Sequence, residues 1–303
     1  MHILNLIRWK NLLIIALVQI LIKYALLEPF GVLTTLDTFH FSLLVLATLL
    51  LAAAGNIIND IYDVDTDTVN KPHALLIGKH VSEQVAYNLF FGCNILGVVI
   101  GFYLSNHVGK SPFFGIFVII SICLYVYASF LKRTILLGNI LISLLVGMSV
   151  LIVGIFDVIP AIFPQNRETQ ITFFKLIFDY AVFAFVINFI REIIKDIQDI
   201  DGDYKAGMNT LPIALGRERA NKVAFVVSMI PIAAVIYYVV TYLYQQQLVI
   251  GYFLIFVVAP LVYATIKIFT ASQKKDYAKI SLVYKLVMLF GMLSMLLYPF
   301  ILK

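Results

Sequence analysis

Apolar runs long enough to cross a bilayer recur along the whole of this 303-residue chain, and no other feature constrains its fold as strongly. A helix needs about 20 residues to traverse about 30 Å of hydrocarbon. Runs of that kind lie near 11–29, 40–58, 84–105, 112–131, 135–156, 172–194, 220–243, 249–269 and 281–301. Apolar residues make up 62% of the chain and charged ones 13%, against about 45–50% and about 25% in soluble domains. The mean hydropathy is +0.97, and a soluble fold has no interior large enough to hide so much apolar surface. The expected fold is all-α: a multi-pass transmembrane helical bundle of about nine spans around a central cavity, forming a single membrane-embedded domain over 1–303. The first run is too long for a signal-peptide core and has no small-residue cleavage site after it, so it is read as a retained span.

Basic residues orient the bundle. With the N-terminus in the cytoplasm, one side collects Arg8, Lys10, Lys71, Lys79, Lys132, Arg133, Lys195, Lys205, Arg217, Arg219, Lys222, Lys274, Lys275 and Lys279. The other side holds Lys110, Arg167, Lys175 and Lys303. That is the bias expected of cytoplasmic loops, and it places the chain in the cell (inner) membrane. The formal charge of +5 thus reports topology, and no nucleic-acid partner is expected. Cys93 and Cys123 fall inside runs and read as small packing residues.

Two connections on the basic side, near 59–83 and 195–219, are dense in acids. Asn59, Asp63 and Asp67 are spaced i, i+4, i+8, which lines up three oxygen-bearing side chains if the second span continues as a helix. Asp196, Asp199 and Asp203, at i, i+3, i+7, share a helical face in the same way. An Asp at the bilayer centre costs about 2.5–3.5 kcal/mol on insertion scales, so these acids belong at the interface or in a wet cavity. Neighbouring carboxylates repel one another, and a divalent cation would relieve them. Oxygen ligands without His or Cys favour Mg2+, which takes one or two carboxylates and completes its shell with water and phosphate oxygens. A single acidic cluster reads more simply as a solvated helix end; two at matching depth read better as a diphosphate site. Lys71, Lys79, Lys132, Arg133, Arg8 and Asn11 are candidate diphosphate contacts, and the bases among them read equally as membrane anchors. Asp60, Asp65 and Asp201 lie off the best faces. The charges near 157–171, Asp157 among them, show no spacing and are given no chemical role. Tyr62, Tyr125 and Tyr127 are candidates to steady a developing cation through their ring faces.

The two clusters resemble the signatures of the UbiA superfamily of intramembrane prenyltransferases, an N-x-x-x-D-x-x-x-D matched by Asn59, Asp63 and Asp67 and a D-x-x-x-D matched by Asp199 and Asp203. The longer second segment, from Arg191-Glu192 through Lys195-Asp196 and Gly202-Asp203 to Thr210-Leu211-Pro212, is similar to the digeranylgeranylglyceryl phosphate synthase-like branch. Two positions depart from the family pattern: Ala74 follows Asn-Lys-Pro-His where a basic residue is usual, and Arg8-Trp9-Lys10-Asn11 replaces Arg-Pro-x-Asn. The resemblance implies a Mg2+-dependent enzyme that takes a prenyl diphosphate donor and a lipophilic acceptor, with Asp63, Asp67, Asp199 and Asp203 as the catalytic acids and the active site toward the cytoplasm. The favoured acceptor is a geranylgeranylglyceryl phosphate-like lipid, with an aromatic quinone precursor as the alternative. A transporter or lipid carrier is the rival outside enzymes. Its acids would sit near the bilayer midplane, whereas these sit at the ends of spans.

Overall fold

The computed structural model describes residues 1–73 and 75–301, so Ala74 and Lys303 lie outside the described residues. Among the described residues nine helices are long and apolar enough to cross a membrane. We number them α1 Trp9–Phe30, α2 Thr38–Tyr62, α3 Glu83–His107, α4 Ser111–Ser129, α5 Leu137–Ala161, α6 Arg167–Lys205, α7 Arg217–Tyr242, α8 Gln247–Thr270 and α9 Lys274–Phe300. Each overlaps one expected run. The largest departure is α6, whose 39 residues span ~58 Å at ~1.5 Å per residue. It therefore outruns the hydrocarbon by several turns, and the final turns carry the second acidic cluster.

Packing separates core helices from lipid-facing ones. In α2 and α5 half of the apolar window is buried inside the protein, while in α4 the share is 17%. Phe91, Ile95 and Phe102 of α3 are more than half exposed, an arrangement suited to lipid and costly in water. Helix caps set the ends where the sequence offers them: Asp37 accepts from the His40 N–H at 2.8 Å at the start of α2, and Gln273 with Asp276 forms a capping box on α9. Helices α1, α2, α4, α5, α6 and α9 surround a chamber of about 220 Å3.

At the end of the bundle away from the acidic clusters, Asp157 has a structural part that its place in a loop did not predict. Helix α5 continues to Ala161, and Asp157 sits inside it, fully buried, with its Oδ2 3.0 Å from Lys23 Nζ. The Leu36 N–H donates to Asp157 Oδ1 at 2.7 Å, and the Lys23 ammonium lies 4.9 Å from the centre of the Phe41 ring. Both charged residues occupy π-helical turns, Ile22–Leu27 in α1 and Gly154–Val158 in α5. Such turns bulge the backbone and re-aim side chains. The pair thus ties α1, α5 and the segment before α2 together at that end.

Candidate active site

The first acidic cluster begins on α2 and continues past it. Helix α2 ends at Tyr62, Asp63 adopts φ −91°, ψ 0°, and a short helix, Val64–Asn70, follows. That bridge-region conformation is sparsely populated and recurs at functional residues. The i+4 hydrogen bonding nevertheless survives: Asp63 N–H donates to the Asn59 carbonyl at 2.9 Å, Asp67 N–H to that of Asp63 at 2.8 Å, and Lys71 N–H to that of Asp67 at 2.8 Å. The expected row of Asn59, Asp63 and Asp67 therefore holds despite the break. Asn59 Nδ2 donates to Asp63 Oδ2 at 2.7 Å. Lys132 Nζ contacts Asn59 Oδ1 at 3.3 Å and ion-pairs with Asp63 Oδ2. Burial pushes the Asp67 carboxyl above the ordinary aspartate range; the Lys71 ammonium opposes this and the Asp63 carboxylate adds to it.

The second cluster lies on unbroken α6. Asp196 Oδ2 accepts from Asn139 Nδ2 of α5 at 2.7 Å. Asp199 Oδ2 receives Lys71 Nζ at 2.7 Å, and its Oδ1, 3.8 Å from Lys274 Nζ, is buried without a hydrogen-bond partner. Asp203 is buried, and Asp201 points to the exterior, 4.0 Å from Arg217. Burial alone would lower the Lys71 ammonium, but Asp199 outweighs it and holds the group above the ordinary lysine range.

Asn70 and Lys71 join the clusters. Asn70 Nδ2 donates to the Asp199 carbonyl at 2.9 Å and its Oδ1 accepts from the Gly202 N–H at 3.2 Å. Lys274 Nζ, from α9, donates to the Asn70 carbonyl at 2.7 Å. Asn70 carried no expectation from sequence, because a carboxamide one turn beyond an acidic row looks like any loop Asn.

The expected bases divide. Lys71 and Lys132 reach the acids. Lys79 Nζ donates to the Pro72 carbonyl at 2.8 Å and secures the loop after Lys71. Arg133 is exposed, and its carbonyl accepts from the Asn209 N–H at 2.9 Å. Arg8 pairs with Asp60 Oδ1 at 2.7 Å, which gives Asp60 a partner its helical face did not suggest. Burial pulls the Arg8 guanidinium down, and Asp60 more than compensates, holding it above the ordinary range. Arg8 does this from a left-handed backbone, φ 53°, ψ 50°, a strain of about 1–2 kcal/mol for a residue with a Cβ. Asn11 Oδ1 accepts from Lys285 Nζ at 2.7 Å.

Arg8, Asn11, Asn59, Arg191, Glu192, Lys195 and Lys285, with Thr48, Asn56, Ser149 and Asn188, form the polar part of the chamber wall. The rest is apolar, with Phe117, Ile120, Leu124, Ile142, Leu145 and Ile152 among its lining. Tyr127 lines it too, whereas Tyr62 and Tyr125 meet each other, hydroxyl to hydroxyl at 3.3 Å, outside it. Cys93 and Cys123 are free and half-buried. Among the described residues no three His, Cys, Asp or Glu side chains converge as a finished metal cage. The oxygen-only donor set and the orphaned Asp199 Oδ1 fit Mg2+, which needs few protein ligands when phosphate and water complete its shell.

The chain is similar to known proteins along nearly all of its length. The model of the UbiA prenyltransferase family matches residues 13–289. The chain is 30% identical over 278 residues to the digeranylgeranylglyceryl phosphate synthase of Methanococcoides burtonii, covering 92% of this chain and 91% of that one. To the digeranylgeranylglyceryl phosphate synthase of Methanopyrus kandleri it is 32% identical over 246 residues, covering 80% and 82%. A UbiA homolog from Archaeoglobus fulgidus bound to GPP and Mg2+ superposes with a TM-score of 0.59 at 16% identity, over 98% of this chain and 99% of that chain. A solved structure concerning digeranylgeranylglyceryl phosphate synthase in membranes superposes with a TM-score of 0.62 at 23% identity, over 97% and 98%. At these identities the structural likeness is one of fold.

Proposed function

Because the chain belongs to the UbiA prenyltransferase family and is a membrane prenyltransferase, we propose that it moves a polyprenyl group from a prenyl diphosphate to the hydroxyl of a geranylgeranylglyceryl phosphate-like lipid. The observation that carries this reading is the Asn70–Lys71 bridge to α6, which draws both acidic clusters together beside the mouth of an apolar chamber. The acceptor class follows the relatives, whose name is digeranylgeranylglyceryl phosphate synthase.

In this proposal Asn59, Asp63, Asp67, Asp196, Asp199 and Asp203 hold Mg2+, with Asp63, Asp67, Asp199 and Asp203 the acids on which turnover depends. When bound, the metal neutralises charge building on the departing diphosphate, a contribution of several kcal/mol. Lys71 and Lys132 exchange their carboxylate partners for diphosphate oxygens. The apolar wall receives the prenyl tail and keeps water from the allylic cation while the carbon–oxygen bond to diphosphate breaks. The acceptor hydroxyl then forms the new carbon–oxygen bond and passes its proton to the released diphosphate. The bias of basic residues supports a cytoplasmic position for the acidic end.

The test is direct. Purified protein given geranylgeranyl diphosphate, Mg2+ and a panel of phosphoglyceryl lipid and aromatic acceptors should release diphosphate and yield the prenylated glyceryl lipid. Turnover confined to aromatic acceptors would overturn the acceptor assignment, and no turnover with any of them would overturn the reading itself.

A further inference from the structure

The chamber wall carries more cations than acids: Arg191, Lys195 and Lys285 share the single carboxylate of Glu192, which leaves a net charge of +2. Of the charged residues lining the chamber, Arg8 is matched by Asp60 at 2.7 Å and Lys195 by Glu192 at 2.6 Å. Arg191 and Lys285 remain. Neither has a carboxylate within 4 Å among the described residues, and their hydrogen bonds go to neutral groups: Arg191 Nε donates to Ser281 Oγ at 3.2 Å and Lys285 Nζ to Asn11 Oδ1 at 2.7 Å. Ser281 and Lys285 are one turn apart on α9, so these contacts bring the guanidinium of α6 and the ammonium of α9 to the same stretch of chamber wall. Charges of like sign in a largely apolar chamber repel strongly and are tolerated when a ligand of opposite sign completes the site.

We propose that Arg191 and Lys285, steadied by Ser281 and Asn11, form a subsite for a phosphate monoester on the acceptor, separate from the acid-lined site for the donor's diphosphate. The net +2 of Arg191, Lys195 and Lys285 against Glu192 equals the charge of about −1.5 to −2 that a phosphate monoester carries near neutrality. The planar guanidinium supplies a fork of donors and the ammonium a point charge, a combination suited to a tetrahedral anion. Arg191 precedes Asp199 on α6 by ~12 Å of helix. A lipid anchored there by its phosphate keeps its neighbouring hydroxyl in the chamber, facing the carbon released at the acidic clusters. The inference rests on the proposed prenyl transfer and adds the chemistry by which the acceptor is selected.

The experiment compares the whole chain with Arg191→Gln and Lys285→Gln, using Arg191→Lys and Lys285→Arg as charge-conserving controls. Diphosphate release is followed with geranylgeranyl diphosphate and Mg2+ while a phosphoglyceryl prenyl lipid, or the same lipid stripped of its phosphate, is titrated. Each Gln variant should raise KM for the phosphorylated acceptor about tenfold or more, the loss expected of one charge-assisted contact. It should leave the KM of the donor within about twofold and erase the preference for the phosphorylated over the stripped lipid. The charge-conserving variants should recover part of that preference. Binding of the phosphorylated lipid to donor-free protein is measured in parallel, so that if no acceptor turns over, and the prenyl-transfer reading falls, the subsite is still judged by whether the Gln variants weaken that binding. A parallel rise in donor KM would assign these cations to the diphosphate. An intact phosphate preference in both Gln variants, or a carboxylate-bearing aromatic acceptor taken as readily by the wild type, would overturn the proposal.

Discussion

The Asn70 carboxamide lies flat against the backbone of α6 at Gly202, accepting the Gly202 N–H at 3.2 Å while it donates to the Asp199 carbonyl at 2.9 Å. A Cβ at position 202 would stand 2.2 Å from Asn70 Nδ2 and 2.5 Å from Cγ. Glycine inside a helix costs about 1 kcal/mol relative to alanine, and here it permits the close approach that brings the two acidic rows together.

Gly202→Ala should therefore separate the clusters while strengthening α6 itself. We expect diphosphate release to fall at least about tenfold, as misplacement of reacting groups by an ångström does, with the melting temperature in detergent shifted by only a few degrees. Activity equal to wild type would show that the Asn70 contact does not set the spacing of the acids.

Asp63→Ala and Asp199→Ala remove one carboxylate from each row. Each should abolish Mg2+-dependent binding of a prenyl diphosphate, measured by titration calorimetry in detergent, and leave helix content by circular dichroism unchanged. Undiminished binding in both variants would exclude these acids from holding the metal.

Lys132 reaches Asn59 and Asp63 from the turn Leu131–Arg133, and that turn packs on Gly138. A Cβ at Gly138 would lie 2.7 Å from the Leu131 carbonyl oxygen and 2.9 Å from Lys132 Cα. Both Lys132→Met and Gly138→Ala should lower kcat/KM about 10- to 100-fold, the range for losing a charge-assisted contact to a leaving group. Lys132→Arg should fall by less. A normal Gly138→Ala enzyme would mean that the turn tolerates displacement.

The buried Lys23–Asp157 pair predicts a stability effect away from the acids. Asp157→Ala strands the Lys23 ammonium, and breaking such a pair costs about 3–5 kcal/mol, seen as a lower melting temperature in detergent. The double variant Lys23→Met, Asp157→Leu should recover most of the loss. Equal destabilisation by the single and double changes would show that the pair's geometry, rather than an uncompensated charge, carries the effect.

Much of the site was readable because its chemistry is periodic. Carboxylates at one-turn spacing announce a shared helical face whatever the helix packs against, and Asn59, Asp63 and Asp67 keep that face even across the break at Asp63. Isolated polar residues carry no such signal. Asn70, Asn139 and Lys285 each look like ordinary polar positions until a second helix supplies their partner, and Arg191 counted only as part of the longer family-like segment, with no role of its own. Asp157 was misplaced for a related reason: hydropathy ends a span where charge begins, and Lys23 and the Leu36 N–H, both far away in the chain, make a charge tolerable inside α5.

By itself the sequence determined a helical bundle of about nine spans with two acidic rows, because lipid leaves a backbone few ways to satisfy its hydrogen bonds and helical spacing is a local property. Tertiary structure alone decided which partner each charge meets. Arg8 finds Asp60, Lys132 finds Asp63 and Lys71 finds Asp199, whereas the hydrogen bonds of Arg191 and Lys285 among the described residues go to Ser281 and Asn11. The physical reason is that an ion's partner is set by distance in space, over a few ångströms, and that distance is fixed by helix packing rather than by order along the chain.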